Sequence, residues 1–250
     1  MDGNMNATQK YTQHLHTLLD QVETSQTEAI HKASLMIAQA IEGHHALFVF
    51  GASHAGILSM ELFYRSGGLV MANPIFAPDL MLDARPVTLT TDMERLEGYG
   101  NILLNQSKIQ TGDVLIIHSV SGRNAVSIDM ALEAKKRQIP VIVITNVTYS
   151  TQLNSRHSSG LKLMDTADVL IDNCGDFEDS SIEIMGTSQK MGPTSTITGA
   201  YIVNSLAMMC AEELVLRGIE VPIYHSANME GGDVFNETLM RRYKDLIHYL

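Results

Sequence analysis

The chain has 250 residues, 45% of them hydrophobic and 18% charged. That balance supports a folded core and excludes the low-hydrophobicity, high-charge composition of a disordered protein. Its formal net charge is −11, its pI is near 5.3 and its longest basic run is Lys135-Lys-Arg137. These values exclude the broad positive surface that a nucleic-acid or anionic-membrane binder needs, so an anionic ligand has to be held locally, by backbone N–H groups and helix starts.

The two cysteines, Cys174 and Cys210, form neither a disulfide framework nor a CxxC pattern. The opening MDGNMNATQKYTQHL has no basic region followed by an apolar run, and no long uninterrupted apolar stretch occurs. A cytoplasmic protein with no membrane partner is expected.

In chain order, Tyr11, Leu15, Leu18 and Val22, then Ile30, Ala33, Ile37 and Ala40, show the three-four spacing of an amphipathic helix closed by Gly43. The segment exceeds ordinary helix length, so a break into two pieces or packing of residues 1–44 against a partner subunit is expected. Ala46-Leu-Phe-Val-Phe50 is a short continuous apolar run, the form of a strand buried on both faces. The same form returns at Asp113–Ile117, Val141–Thr145 and Asp168–Asp172. Helical segments are predicted at Met93–Ile109, Asn124–Gln138 and, strongly apolar, Thr194–Arg217, with a closing helix to Leu250. Alternating strands and helices predict an α/β fold: a doubly wound parallel sheet flanked by helices, a flavodoxin-like three-layer sandwich in one domain over 1–250. Ligands of such folds bind beyond the carboxyl ends of the strands.

Two loops at that edge carry the chemistry. The first, Gly51-Ala-Ser-His-Ala-Gly56, opens a helix; Gly51 allows close backbone approach, and Ser53 and His54 offer polar groups. It lacks the GxGxxG spacing of a dinucleotide site. The second, His118-Ser-Val-Ser-Gly-Arg-Asn124, lies between a clear strand and a clear helix. Ser119 and Ser121 offer hydroxyls, Gly122 opens the turn, and Asn124 can cap the helix while its amide meets a phosphate oxygen; plain helix capping is the alternative.

GASHAG and HSVSGRN, in these positions, resemble the two phosphosugar-binding loops of the SIS (sugar isomerase) domain family, which includes phosphoheptose isomerase and arabinose-5-phosphate isomerase. Gly192-Pro-Thr-Ser-Thr196 is similar to the serine/threonine-rich helix start of several members, which implies that Thr194, Ser195 and Thr196 bind phosphate. ELFYRSGGLVMANPI, SRHSSG and SANMEGGD resemble stand-alone bacterial SIS proteins over nearly the whole chain. Two positions depart from the pattern: Ala55 stands where many members have serine, and Asn124 where threonine is commoner.

The resemblance implies a sugar-phosphate partner, self-association as a dimer or tetramer, and either aldose-ketose isomerisation through an enediol, phosphosugar sensing without turnover, or etherase or deglycase chemistry on an amino-sugar phosphate. Isomerisation needs a base and an acid. Glu61, about two turns past GASHAG, is either paired with Arg65 or aimed into a cleft. The corresponding region of phosphoheptose isomerase supplies His and Glu side chains, which favours a catalytic Glu61. His54 and His118 are either structural or direct participants. Glu183, between Ile182 and Ile184, is either an acid/base group or the outward residue of an edge strand.

His225, Asn228, Glu230 and Asp233 lie in a polar, glycine-containing loop. It is either solvated surface or, by resemblance, a segment that reaches a neighbouring subunit's site and supplies His225 as a catalytic group and Asn228 as a substrate ligand, with Glu230 and Asp233 as further candidates. No cofactor and no metal are expected: His14 and His16 point to different faces of the first helix, and His44 and His45 lie at its end, all four read as solvent-facing. Cys174 is expected to be a buried, inert thiol.

Overall fold

A computed structural model describes residues 5–250. Helix α1, Ala7–Glu42, begins with a reciprocal cap: the Asn6 side chain accepts from the Gln9 N–H at 2.9 Å, and the Gln9 side chain accepts from the Asn6 N–H at 3.0 Å. It runs unbroken, and its apolar stripe (Val22, Ile30, Ala33, Ile37, Ile41) is covered by this chain's own α7, Ser195–Leu216, and by the sheet.

Five parallel strands follow: β1 Leu47–Gly51, β2 Ala72–Pro74, β3 Val114–His118, β4 Val141–Thr145 and β5 Val169–Asp172, in the order β2-β1-β3-β4-β5. The sheet reverses direction of growth at β1, which makes the carboxyl edge beside β1 and β3 the natural binding crevice. Register places Gly51 beside His118 and Thr145 beside Asp172, so the strand ends reach one edge together.

Because successive side chains in a strand point to opposite faces, the apolar runs fill two cores. Val49, Ile116, Ile144 and Ile171 meet α1, α7 and α2 (Ile57–Leu62) on one face. Phe50, Leu115, Ile117 and Val143 meet α4 (Tyr99–Gln106) and α5 (Ala125–Lys136) on the other. The three-layer α/β architecture expected from the sequence is the one observed. By length and composition α7 could cross a membrane. Here Ile202, Val203, Leu206, Cys210 and Leu214 along it are core residues.

Two local expectations need correction, and two short elements are additional to those expected. Residues 93–109 are not one helix. Helix α3, Leu89–Arg95, ends before α4 begins, because Gly98 adopts φ 86° and gives its N–H to Asp129 Oδ2 at 2.6 Å. Strand β2 went unread: it is three residues long and ends in Pro74, which an edge strand tolerates. The short helix α6, Val147–Gln152, was also unread; Asn146 caps it by accepting from the Tyr149 N–H at 2.8 Å.

The last helix, α8, spans Gly232–Arg242 and stops short of Leu250. The tail turns back to the sheet edge, where Asn73 accepts from the His248 N–H at 2.7 Å and donates to the Leu246 carbonyl at 3.0 Å.

Gly100 sets how closely α4 approaches α5: a Cβ there would lie 2.0 Å from the Val126 carbonyl oxygen, inside contact distance. Gly100→Ala is therefore expected to lower unfolding free energy by roughly 1–3 kcal/mol, the usual cost of overpacking. Urea titration reads this directly, and a change within about 0.5 kcal/mol would show that the two helices separate freely.

Candidate functional site

The first loop is built on a steric requirement. A Cβ on Gly51 would lie 2.3 Å from the Ala55 carbonyl oxygen, so the chain closes over itself only with glycine there. Ser53 takes φ 51° in the resulting turn and donates its hydroxyl to Glu94 Oε1 at 2.5 Å. His54 is exposed. The helix that follows, α2, has six residues and is preceded by a tight single turn over Ser53–Gly56.

His118 ends β3 with 1% of its surface exposed. Its Nδ1 lies 3.1 Å from the Ala55 carbonyl, which can only accept, so Nδ1 carries the hydrogen. Nε2 is then the acceptor of the neutral ring, and it is buried without a partner among the described residues. Burial pulls the His118 pKa below the ordinary imidazole value, opposed by the Ala55 bond and by the nearby Asp179 carboxylate.

The backbone then turns through Ser119, Val120 and Ser121, all partly exposed, to Gly122 at φ 59°, packed where a Cβ would meet Ser150 and Thr145 at 3.1 Å each. Asn124 occupies the N-cap position of α5, but its side chain makes no cap bond. Instead Nδ2 donates to Glu94 Oε2 at 2.5 Å, and Oδ1 accepts from Arg156 Nη1 at 2.9 Å. The expected capping role of Asn124 is thus corrected: Glu94 and Arg156 draw the amide away from the helix. The first turn of α5 also carries no acidic residue. Its leading N–H groups, beside the two serine hydroxyls, receive no side-chain cap from the described residues.

The start of α7 is built in the opposite way. Asp179 Oδ1 accepts from the N–H groups of Thr194 and Ser195 at 3.0 and 2.9 Å, and Oδ2 accepts from the Ser195 hydroxyl at 2.6 Å. The Thr194 hydroxyl donates to Asp176 at 3.2 Å, and the Tyr11 hydroxyl to the Pro193 carbonyl at 2.5 Å. Thr196 is partly exposed. Two of the residues expected at a phosphate, Thr194 and Ser195, therefore serve carboxylates of their own chain.

Charge at the second loop comes from side chains outside the expected site residues. Glu94 lies on α3, and Arg95 and Arg123 lie close enough to Arg156 to act on it. Burial, then the charges of Arg123 and Arg95, lower the Arg156 pKa, and Glu94 opposes them. Arg156 belongs to the SRHSSG segment, which is stapled down: the Arg156 N–H donates to the Arg123 carbonyl at 2.9 Å, and His157 Nε2 meets Asp129 at 3.0 Å. The Ser158 N–H donates to Glu97 at 2.7 Å and, with the Ser158 side chain, holds that carboxyl below the usual range. Arg123 within SGRN and Arg156 within SRHSSG were the available signals. Glu94 had none, since its partners are 41 and 30 residues away in sequence.

The remaining candidates are dispersed. Glu61 pairs with Arg65 and accepts from Asn204 Nδ2 of α7 at 2.8 Å. Glu183 has 84% of its side chain exposed, opposite Lys190 at 3.9 Å, and Ile182 beside it bridges to Met191, as in the edge-strand alternative. The exposed His225 ring stacks on Phe235 at 3.7 Å, and Asn228, Glu230 and Asp233 are exposed with it.

The expectation that His14 and His45 face solvent is corrected: His14 Nε2 lies 2.9 and 2.8 Å from the two Asp176 oxygens, and His45 Nδ1 lies 3.6 Å from Asp113. His16 and His44 are exposed. Among the described residues no group of three His, Cys, Asp or Glu side chains is placed to hold a metal ion. Burial raises the Cys174 thiol pKa.

With its pKa depressed in the fold, His118 binds a proton more readily once unfolded, so stability is complete above the unfolded imidazole value and falls as pH drops below about 6.5. The His118 contribution is expected to approach about 1.4 kcal/mol per pH unit in that window. Denaturant titrations at several pH values, compared with His118→Asn, check this; parallel profiles for the two proteins would contradict it.

The SIS-domain profile matches residues 10–146, more than half of the chain. A UPF0309 protein of Shouchella clausii is 47% identical over 246 residues, covering 98% of this chain and all of the relative, and one of Oceanobacillus iheyensis is 47% identical over 93% of this chain and 94% of its own. Among solved structures, a phosphoheptose isomerase from Francisella tularensis superposes with a TM-score of 0.54 at 15% identity, over 83% of this chain and all of that one. The loops at the strand ends and the profile that spans both of them agree: the chain belongs to the SIS-domain family.

Proposed function

We propose that the protein binds a phosphorylated sugar at the carboxyl edge of β1 and β3, with the phosphate on the leading N–H groups of α5 and the hydroxyls of Ser119 and Ser121, and that it interconverts aldose and ketose forms through an enediol. One observation carries the binding half. Of the two long helices starting at this edge, α7 has its N–H groups taken by Asp179, whereas α5 has neither a side-chain cap nor an acidic first turn. A phosphate monoester supplies the acceptors and the negative charge that such a helix start favours. Nε2 of His118, at the end of β3 and without a partner among the described residues, is suited to accept a hydrogen bond from a sugar hydroxyl.

For isomerisation, a base removes the proton from the carbon beside the carbonyl while an acid protonates the carbonyl oxygen, giving the enediol. The base then returns its proton to the former carbonyl carbon as the hydroxyl on the other carbon gives its proton to the conjugate base of the acid and becomes the new carbonyl. Glu61 is assigned the base, with Arg65 and Asn204 fixing the direction of its carboxylate. The same contacts favour a second reading, binding without turnover, because Arg65 and Asn204 both occupy Oε1 of that carboxylate.

Two measurements separate these. Replacing both Ser119 and Ser121 by alanine is expected to weaken binding of hexose and heptose phosphates by roughly tenfold or more, as read by calorimetry. Unchanged affinity would remove the phosphate assignment. Glu61→Gln is expected to keep that affinity and to abolish exchange of the substrate's carbon-bound proton with solvent, followed by NMR. Binding with no exchange in the unaltered protein would make it a sensor.

A further inference from the structure

The two loops that approach a ligand are already joined by a carboxylate. Glu94 accepts from Ser53 of the first loop through Oε1 and from Asn124 of the second through Oε2, both at 2.5 Å. It is the counter-charge within the group formed by Arg95, Arg123 and Arg156. Arg123 Nε is buried and has no partner among the described residues. Glu94 thus takes hydroxyl and amide donors of the kind a phosphate or an anionic sugar substituent takes, inside a local excess of positive charge on an otherwise acidic protein.

The element that carries it is short. Helix α3 has seven residues; Thr90 is buried, with its hydroxyl bonded locally to the Val87 carbonyl at 2.8 Å, and Met93 is the side chain that packs on the second core. The helix follows a stretch, Arg85 to Thr88, that is exposed throughout. Beyond Arg95 the chain is anchored again, by Gly98 on Asp129 and by Glu97 on Ser158. An outward swing of α3 about the Leu96–Gly98 joint would break the two Glu94 bonds and lift Met93 from the core while leaving the Gly98–Asp129 bond in place.

We infer that Glu94 is an internal competitor for the anion site: its carboxylate, bridging Ser53 and the α5 N-cap residue Asn124, lies beside the start of α5 and is displaced when a ligand anion settles on the α5 N–H groups, α3 then moving out as the gate. The inference rests on the phosphosugar-binding reading and adds a regulatory residue to that site. Its consequence is quantitative. When only the displaced arrangement is competent to bind, the apparent dissociation constant equals the intrinsic one divided by the competent fraction, so deleting the competitor tightens binding.

Inorganic phosphate is the deciding probe because it has no sugar hydroxyls for Glu94 to recognise. It is titrated calorimetrically into the full chain, into Glu94→Ala, and into the double alanine variant of Ser119 and Ser121, with thermal melts to establish folding. Glu94→Gln, of the same shape without the charge, decides the matter if the alanine variant does not fold. Phosphate binding at least about tenfold tighter in the Glu94 variant is the expected result. Equal or weaker affinity there, with the serine variant still impaired, would overturn the competitor role and leave the binding reading intact. Affinity unaltered by loss of both serines would remove the site itself and this inference with it.

Discussion

Every N–H group in the first turn of a helix lacks an intrahelical acceptor, and in a doubly wound fold several helices begin at the same edge of the sheet. Which of those starts is satisfied from within the chain decides where a ligand anion can sit. Asp179 closes the start of α7 with three hydrogen bonds. At α5 the residue in the capping position, Asn124, is turned toward Glu94 and Arg156. The division follows from the surrounding side chains, since both starts present serine or threonine and the hydroxyls alone do not distinguish them.

Electrostatics sharpen the division. With a net charge of −11 the molecule repels anions at long range, so recognition has to be short-range and directional. The guanidinium groups of Arg95, Arg123 and Arg156 concentrate positive charge at one end of the sheet edge, with Glu94 among them. At the other end Asp176 and Asp179 face His14 and the start of α7. His118 lies between the two loops, neutral by burial, and its free nitrogen is an acceptor in a region otherwise rich in donors.

The parallel sheet was legible because strands buried on both faces read as uninterrupted apolar runs, and β1, β3, β4 and β5 all have that form. Strand β2 escaped because Ala72-Asn-Pro74 has neither the length nor the composition of a strand and is held by pairing with β1 and by the distant tail through Asn73. The break between α3 and α4 escaped because Gly98 is stabilised by Asp129, far along the chain, while the apolar spacing continues across it. The glycine-serine loops were visible as local motifs. The carboxylates that engage them were not, because Glu94 and Asp179 reach Ser53, Asn124 and Ser195 only after the sheet has assembled. Spacing along a chain encodes a helix cap a few residues away; it does not encode a tertiary one.

The claim on which the rest depends is the position of the anion, and a crystal structure with a sugar phosphate bound tests it most directly. The prediction is a phosphate within hydrogen-bonding distance of the first N–H groups of α5 and of the Ser119 and Ser121 hydroxyls, with Asp179 still seated on α7. A phosphate on Thr194 and Ser195, with Asp179 displaced, would contradict it.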